Sequence, residues 1–128
     1  MSLATLEHLN FTAADPVKSA ERLARIFSWY IRWKGPSIHG GQSVHVGTPD
    51  LYLAIYSPPE GVSEGPDNYR TRGGLNHIGI LVDDLEAAEK AVLAEGYETH
   101  SHQTYEPGSR FYFDNEDGIE FEVVSYTV

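Results

Sequence analysis

Two short stretches carry the residues best suited to chemistry. LEHLNF occupies positions 6–11 and LNHIGI positions 75–80, which puts His8 and His77 at matching places, 69 residues apart. Near the end of the chain, IEFEVVSY (119–126) adds Glu120 and Glu122. Two neutral imidazoles and one carboxylate, with further coordination positions left to water and substrate, make a competent site for Fe(II), Mn(II), Zn(II) or Ni(II). A single histidine on a strand is more often a hydrogen-bonded structural residue than a ligand. A second one at the repeat-related position raises the ligand reading, and spacing alone leaves both open. Thiolate chemistry and disulfides are excluded, because the chain has no cysteine.

Whether these groups meet depends on the strands that carry them. Side chains alternate along a strand, so parity sorts the faces. Leu9, Phe11 and Ala13 should pack on helices, with His8, Asn10 and Thr12 opposite. Ile78, Ile80 and Val82 should pack, with His77, Gly79 and Leu81 facing away. In the last strand Ile119, Phe121 and Val123 pack, and Glu120, Glu122 and Val124 lie opposite. Both histidines and both acids are therefore expected on the face of the sheet away from the helices.

The chain is written twice. Residues 6–15 match 75–84 at an offset of 69, and after one deletion an offset of 68 is expected to hold to the end. That offset aligns Ala20-Glu21 with Ala88-Glu89, Gly40 with Gly108 and Ser57 with Ser125. In the first copy Asp15-Pro16 supplies an N-cap and a first-turn proline, and Val17, Ala20, Leu23, Ala24 and Phe27 follow helical spacing. In the second, Asp83 and Glu86 read as a capping box, Leu85, Ala88 and Val92 form the stripe, and Gly96 ends the helix. Extended segments are expected at 43–47, 51–57, 110–114 and 119–126, with turns at Thr48-Pro49-Asp50 and Asn115-Glu116-Asp117-Gly118. The Pro-, Gly- and charge-rich stretch between the copies reads as a mobile linker or lid. The expected class is thus α+β: two βαβββ modules, at about 4–57 and 75–127 with a linker at 58–74, within a single domain spanning 1–128.

Composition bounds the function. At 128 residues with 41% hydrophobic and 22% charged content, the chain reads as one soluble globular domain. A net charge of −10 argues against nucleic acid, whose phosphates need clustered Lys and Arg, and would favour a cationic ligand. No apolar run approaches the roughly 20 residues of a membrane span. The lack of a signal pattern and of cysteine fits a cytoplasmic protein.

The paired histidines and the ending FYFDNEDGIEFEVVSY resemble the vicinal oxygen chelate superfamily, the glyoxalase, bleomycin-resistance and type I extradiol dioxygenase proteins, along the whole chain. The resemblance implies an open, cupped mixed sheet around a divalent metal, with helices on the outer face and a homodimer completing the assembly. Family members carry a Tyr-Phe-x-Asp-Pro-Asp-Gly turn with a metal-binding Glu four residues after the Gly. Tyr112-Phe113-Asp114-Asn115-Glu116-Asp117-Gly118 matches, with Glu116 in place of proline, so the resemblance implies His8, His77 and Glu122 as metal ligands and Glu120 as the fallback. At the first-module position equivalent to Glu122, where glyoxalase I keeps a fourth ligand, stands Ala54; a methyl group can neither coordinate nor act as a base, which disfavours strict glyoxalase I chemistry.

The implied function is a metal-dependent enzyme acting on a small molecule that chelates through neighbouring oxygens, as a lyase or isomerase or as a ring-cleaving dioxygenase. Tyr112, Glu120 and Arg110 are candidate catalytic residues of its pocket. The alternative is a non-catalytic drug-binding protein of the bleomycin-resistance type, with which the acidity and Trp29, Trp33, Tyr52 and Tyr56 are compatible. The tryptophans otherwise read as core. His39 and His45 read as surface or structural, and His100 and His102 as solvated residues that could still lie near a pocket.

Overall fold

The computed structural model describes residues 2–105 and 107–127. They fall into two compact units, Met1–Ser63 and Glu64–Val128, so the boundary lies inside the expected linker. The first unit runs β1 (His8–Thr12), α1 (Pro16–Phe27), β2 (Tyr30–Pro36), β3 (Gln42–Gly47) and β4 (Tyr52–Ser57), with a short 3-10 turn at Ile38–Gly40. The second runs β5 (Ile78–Leu81), α2 (Leu85–Ala94), β6 (Thr99–Tyr105), β7 (Gly108–Asp114) and β8 (Glu120–Ser125). The α+β class and the paired βαβββ modules are as expected. Among the described residues no helix is long and apolar enough to cross a membrane.

Each unit is a four-stranded mixed sheet with open edges, ordered β1-β4-β3-β2 in the first and β5-β8-β7-β6 in the second. The first strand of each module pairs in parallel with the last, and the remaining pairs are antiparallel. Each helix packs on one face of its own sheet. In the first unit Phe11, Ala13, Ala20, Leu23, Val44, Val46 and Ile55 are buried. In the second, Val92, Phe111, Phe113, Phe121 and Val123 are fully enclosed, and the Phe113 and Phe121 rings stack at 5.0 Å. The large core side chains take every second strand position, and the opposite face carries the polar groups together with the buried Ala54 and Val124.

The strand register corrects the repeat. Gly47 pairs with Tyr52 across the β3–β4 turn, and Asp114 pairs with Glu120 across the β7–β8 turn. The second turn is one residue longer, so the offset is 67 on β3 and β7 and becomes 68 only on the last strands. Gly108 therefore corresponds to Gly41, not to Gly40. Both glycines lie against the last strand of their module: a Cβ on Gly41 would stand 2.5 Å from the Ser57 oxygen, and one on Gly108 2.3 Å from the Ser125 oxygen. The close approach of two backbones is what demands glycine at both places.

Other boundaries shift for similarly local reasons. β5 begins at Ile78, so His77 is the residue just before the strand rather than within it. On α1, Ser19, Ala20, Leu23 and Ile26 are buried while Val17 is 38% exposed; the buried stripe is rotated from the expected one because Ser19 is small enough to sit against the sheet. Leu9 is 38% exposed, although Phe11 and Ala13 pack as expected. Trp33 is not core: it is 47% exposed on β2, an edge strand. Asp15 caps α1 as read, its Oδ1 accepting the Lys18 amide at 3.2 Å. The cap of α2, however, is Asp84 and not Asp83: Asp84 Oδ1 accepts the Ala87 amide at 3.0 Å.

A side chain at the N-cap satisfies one of the orphan amides of the first turn. Asp84→Ala should cost about 1 kcal/mol of stability, and Asp83→Ala less than about 0.5 kcal/mol, both measured by urea unfolding. The reverse order would restore Asp83 as the cap.

Candidate functional site

The polar face of the second sheet is fixed by the turn that precedes β8. Asn115 Oδ1 accepts the amides of Asp117 and Ile119, each at 2.9 Å, and the Asn115 amide donates to the Ile119 carbonyl at 2.9 Å. Gly118 supplies the left-handed residue of the turn, with φ of 78°. Glu116, standing where the resembled turn has proline, accepts a hydrogen bond from the Tyr97 hydroxyl. The turn sets the phase of β8, so Phe121 and Val123 enter the core while Glu120 and Glu122 face the other way.

Glu122 is the centre of this face. Its Oε2 accepts a hydrogen bond from Arg110 Nη1 at 2.7 Å, and its Oε1 lies 3.0 Å from His77 Nε2. The Arg110 and Glu122 side chains are only 11% and 13% exposed. The Arg110 carbon sits 4.5 Å from the centre of the Tyr105 ring, which fixes the guanidinium plane. Although burial works against its charge, the Glu122 hydrogen bond raises the Arg110 pKa further. Tyr112 is the cross-strand partner of Glu122, and its ring meets the His77 ring edge-on at 5.8 Å. Burial, followed by the Glu122 charge, holds the Tyr112 phenol above its ordinary pKa.

His77 is oriented by its neighbour. Its Nδ1 is 2.6 Å from Asn76 Oδ1. The tautomer sets the roles: with the N–H at Nδ1 facing Asn76, the Nε2 lone pair faces a carboxylate oxygen, and with the N–H at Nε2 the ring donates to Glu122. Two electron-rich atoms at that distance need a proton or a cation between them. A 3.0 Å N···O separation is that of a hydrogen bond, and also that of two ligands at a right angle on an ion with bonds of about 2.1 Å.

Glu120 lies beside this pair on β8 and is 8% exposed. A strap from the inter-module segment covers it: Asn68 Nδ2 donates to Glu120 Oε1 at 3.2 Å and to the Asn76 carbonyl at 2.7 Å, and the Tyr69 hydroxyl donates to Glu120 Oε2. Asp67 Oδ1 shapes the strap by accepting the Tyr69 and Arg70 amides at 2.7 and 3.2 Å. In the stretch read as a mobile linker or lid, Asn68 binds the backbone beside His77, and Asn68 and Tyr69 both bind Glu120. No motif in the sequence singles out Asn68 or Tyr69, because their partner is more than 50 positions away.

His8 belongs to the first unit. Its Nδ1 lies 2.8 Å from Glu7 Oε1, and its ring stacks on Tyr52 at 5.0 Å. Tyr52 also donates to Glu7, stacks on His45 at 4.6 Å and lies under the Arg32 guanidinium at 4.3 Å. Trp33 extends the row, 5.1 Å from His45. The hydrogen bond to His8, then that from Tyr52, lowers the Glu7 pKa, while burial followed by the His8 and Arg32 charges lowers that of His45. Ala54 is the cross-strand partner of His45 and is 2% exposed, so a methyl group fills the place that mirrors Glu122.

His100 and His102 are surface residues, as expected, with side chains 43% and 56% exposed. His100 pairs across the strand with Tyr112 and holds Nε2 3.4 Å from Asp114, on the Glu122 face. His102 Nε2 lies 2.7 Å from Glu89 of α2. A bulge between them, with Ser101 at φ of 56°, sends the two imidazoles apart. His39 is exposed. Clefts open at the N-terminal ends of α1 and α2, one lined by Asp15, Lys34 and Ser57 and the other by Asp84, Glu89 and Ser125; neither holds a candidate ligand. Among the described residues no three His, Asp or Glu side chains form a group that could hold a metal ion.

The model of the Glyoxalase/Bleomycin resistance protein/Dioxygenase superfamily matches residues 5–123. The fold is similar to that of a glyoxylase/bleomycin resistance protein/dioxygenase domain from Frankia sp. EAN1pec, at 22% identity and a TM-score of 0.81 over 97% of this chain and 98% of that one. It is also similar to the genomically encoded fosfomycin resistance protein FosX from Listeria monocytogenes, at 19% identity and a TM-score of 0.75 over 95% and 93% of the two chains. A Glu-to-Gln variant of that FosX has been crystallised with Mn(II) and dihydroxypropylphosphonic acid, and it superposes with a TM-score of 0.74 at 19% identity over 95% and 92%. No curated protein matches the sequence.

The strap makes its own prediction. The hydrogen bond to Glu120, then burial, pushes the Tyr69 phenol up to about 12. A pKa raised by folding gives a contribution to stability that is full below about pH 10 and is lost as the pH rises through about 12. Ultraviolet titration should therefore show a late tyrosine that disappears in Tyr69→Phe and moves back toward about 10 in Glu120→Gln. An unchanged titration in both variants would mean the strap does not engage Glu120 in solution.

Proposed function

The chain belongs to the Glyoxalase/Bleomycin resistance protein/Dioxygenase superfamily, and from that premise we propose that it is a divalent-metal-dependent enzyme acting on a small molecule with neighbouring oxygens. The proposed ligands are His8, His77 and Glu122. The observation that supports this reading is the 3.0 Å approach of His77 Nε2 to Glu122 Oε1, with the opposite ring nitrogen 2.6 Å from Asn76 Oδ1. Mn(II) in the FosX variant gives the reading an ion to test first. Working as a homodimer of single-domain subunits in the cytoplasm is part of the same proposal.

When bound there, the ion would act as a Lewis acid for negative charge developing on the substrate's oxygens. The protein's groups prepare for that charge. With the N–H at Nδ1 facing Asn76, the His77 Nε2 lone pair is available. Arg110 occupies Glu122 Oε2 and so directs Oε1 toward His77. Tyr112, a phenol protonated at neutral pH, is a hydrogen-bond donor on this face beside Glu122. Glu120, whose two oxygens accept from Asn68 and Tyr69, is the second carboxylate on this face.

Mn(II) binding measured by calorimetry on metal-free protein tests the assignment. Glu122→Ala and His77→Ala should each lower affinity by more than about 100-fold, beyond the 10- to 100-fold typical of outer-shell changes, and Glu120→Ala by about tenfold or less. Equal losses at Glu120 and Glu122, or none at either, would reject the ligand set.

A further inference from the structure

We infer that Arg110 is the receptor for an anionic group on the ligand, whose apolar part lies along Leu81, Tyr105 and Tyr126. This deepens the proposed function by naming the charge class of the substrate, and it rests on that reading only for the coupling to metal.

The argument starts from the donors of one side chain. Arg110 gives Nη1 to Glu122 and rests its flat face on Tyr105. Its Nε is buried and has no hydrogen-bond partner among the described residues. A guanidinium carries five N–H donors, and Nε shares its outer edge with Nη2, the fork that matches a carboxylate or phosphonate. A buried donor left without an acceptor is costly, so an anion gains both the fork and relief of that cost. The chain's charge of −10 opposes any anion at long range, so recognition must come from such short-range, desolvated donors.

The surroundings supply the rest of the ligand's chemistry. Val124 pairs across the sheet with Arg110 on one side and Leu81 on the other. Around this row Leu81, Tyr105 and Tyr126 are 65%, 53% and 54% exposed, although all three are large and apolar in body. Tyr126 follows Val124 at the same parity, so it extends the same face. An exposed apolar collar around a buried guanidinium suits a small organic acid with an aromatic or aliphatic substituent. Glu122 beside the fork repels such an anion. A cation held at Oε1 removes the repulsion, so metal and anion should strengthen each other reciprocally.

Phenylacetate and phenylacetamide have nearly the same shape and differ in charge. Titrating each by calorimetry into the full chain, with and without Mn(II), should give phenylacetate binding about tenfold or more tighter than the amide. Mn(II) should strengthen only the acid. The preference should vanish in Arg110→Met and shrink in Arg110→Lys, which keeps the charge without the fork. If circular dichroism shows that the Met variant does not fold, the Lys variant decides. Equal affinity of the wild type for both probes, binding of neither, or the full preference in a folded variant overturns the inference. Failure to take up Mn(II) overturns the metal reading instead, because the two probes are also compared in its absence.

Discussion

The register of β8 is the constraint on which the rest of the second unit depends. β8 lies between β5 and β7, so both of its edges are hydrogen-bonded, and its side chains have only two directions. A slip of one residue would turn Phe121 and Val123 out to water and drive Glu120 and Glu122 into the phenylalanine core. The Asn115 turn prevents that slip with two side-chain hydrogen bonds and one left-handed glycine. The acidic pair faces away from α2 because the core will not accept it, and that is how a packing requirement produces a polar face.

Once on that face, Glu122 needs partners. A carboxylate 13% exposed is stable only when its charge is compensated, and Arg110 supplies the compensation. Truncating one partner of a buried ion pair typically costs about 3–5 kcal/mol, because the other charge is left stranded. Arg110 therefore cannot be treated as a decoration of the site. It holds one oxygen of Glu122, and the other oxygen is left for His77. Asn76 and the Asn68–Tyr69 strap extend this network to the backbone beside His77 and to Glu120, so the orientation of the imidazole, the state of Glu120 and the position of the strap are linked through direct hydrogen bonds.

The two copies carry different side chains on one architecture. The row across the first sheet reads Trp33, His45, Ala54 and Asn10; the corresponding row across the second reads His100, Tyr112, Glu122 and Gly79. The first row is mostly aromatic and holds a single methyl group where the second holds its carboxylate. Gly35 permits this: a Cβ there would stand 2.9 Å from the Trp33 ring, which lies against the strand. The charged groups that could do chemistry are concentrated in the second copy, with His8 as the first copy's contribution to the proposed ligand set. A duplicated frame can be specialised in this way because each module closes its own core, leaving the opposite face free to change.

The α+β class, the two βαβββ modules and the face that carries Glu120, Glu122, His8 and His77 can be read from the sequence. Those follow from local rules: strand parity, helix spacing and turn residues act over a few positions and leave a visible pattern. It also showed Asp15 as a cap, Gly96 as a stop and Asn115–Gly118 as a turn. It could not show that the longer β7–β8 turn moves the repeat by one residue, since an insertion is placed by backbone pairing and not by side-chain type. It misplaced the α2 cap, because Asp83 and Asp84 are equivalent until the helix axis is fixed. Arg110 and Tyr112 were legible as pocket candidates, but not the ion pair of Arg110 with Glu122. Tyr69 and Asn68 were not legible at all. Those contacts join residues distant in sequence, and only the folded backbone brings such residues together.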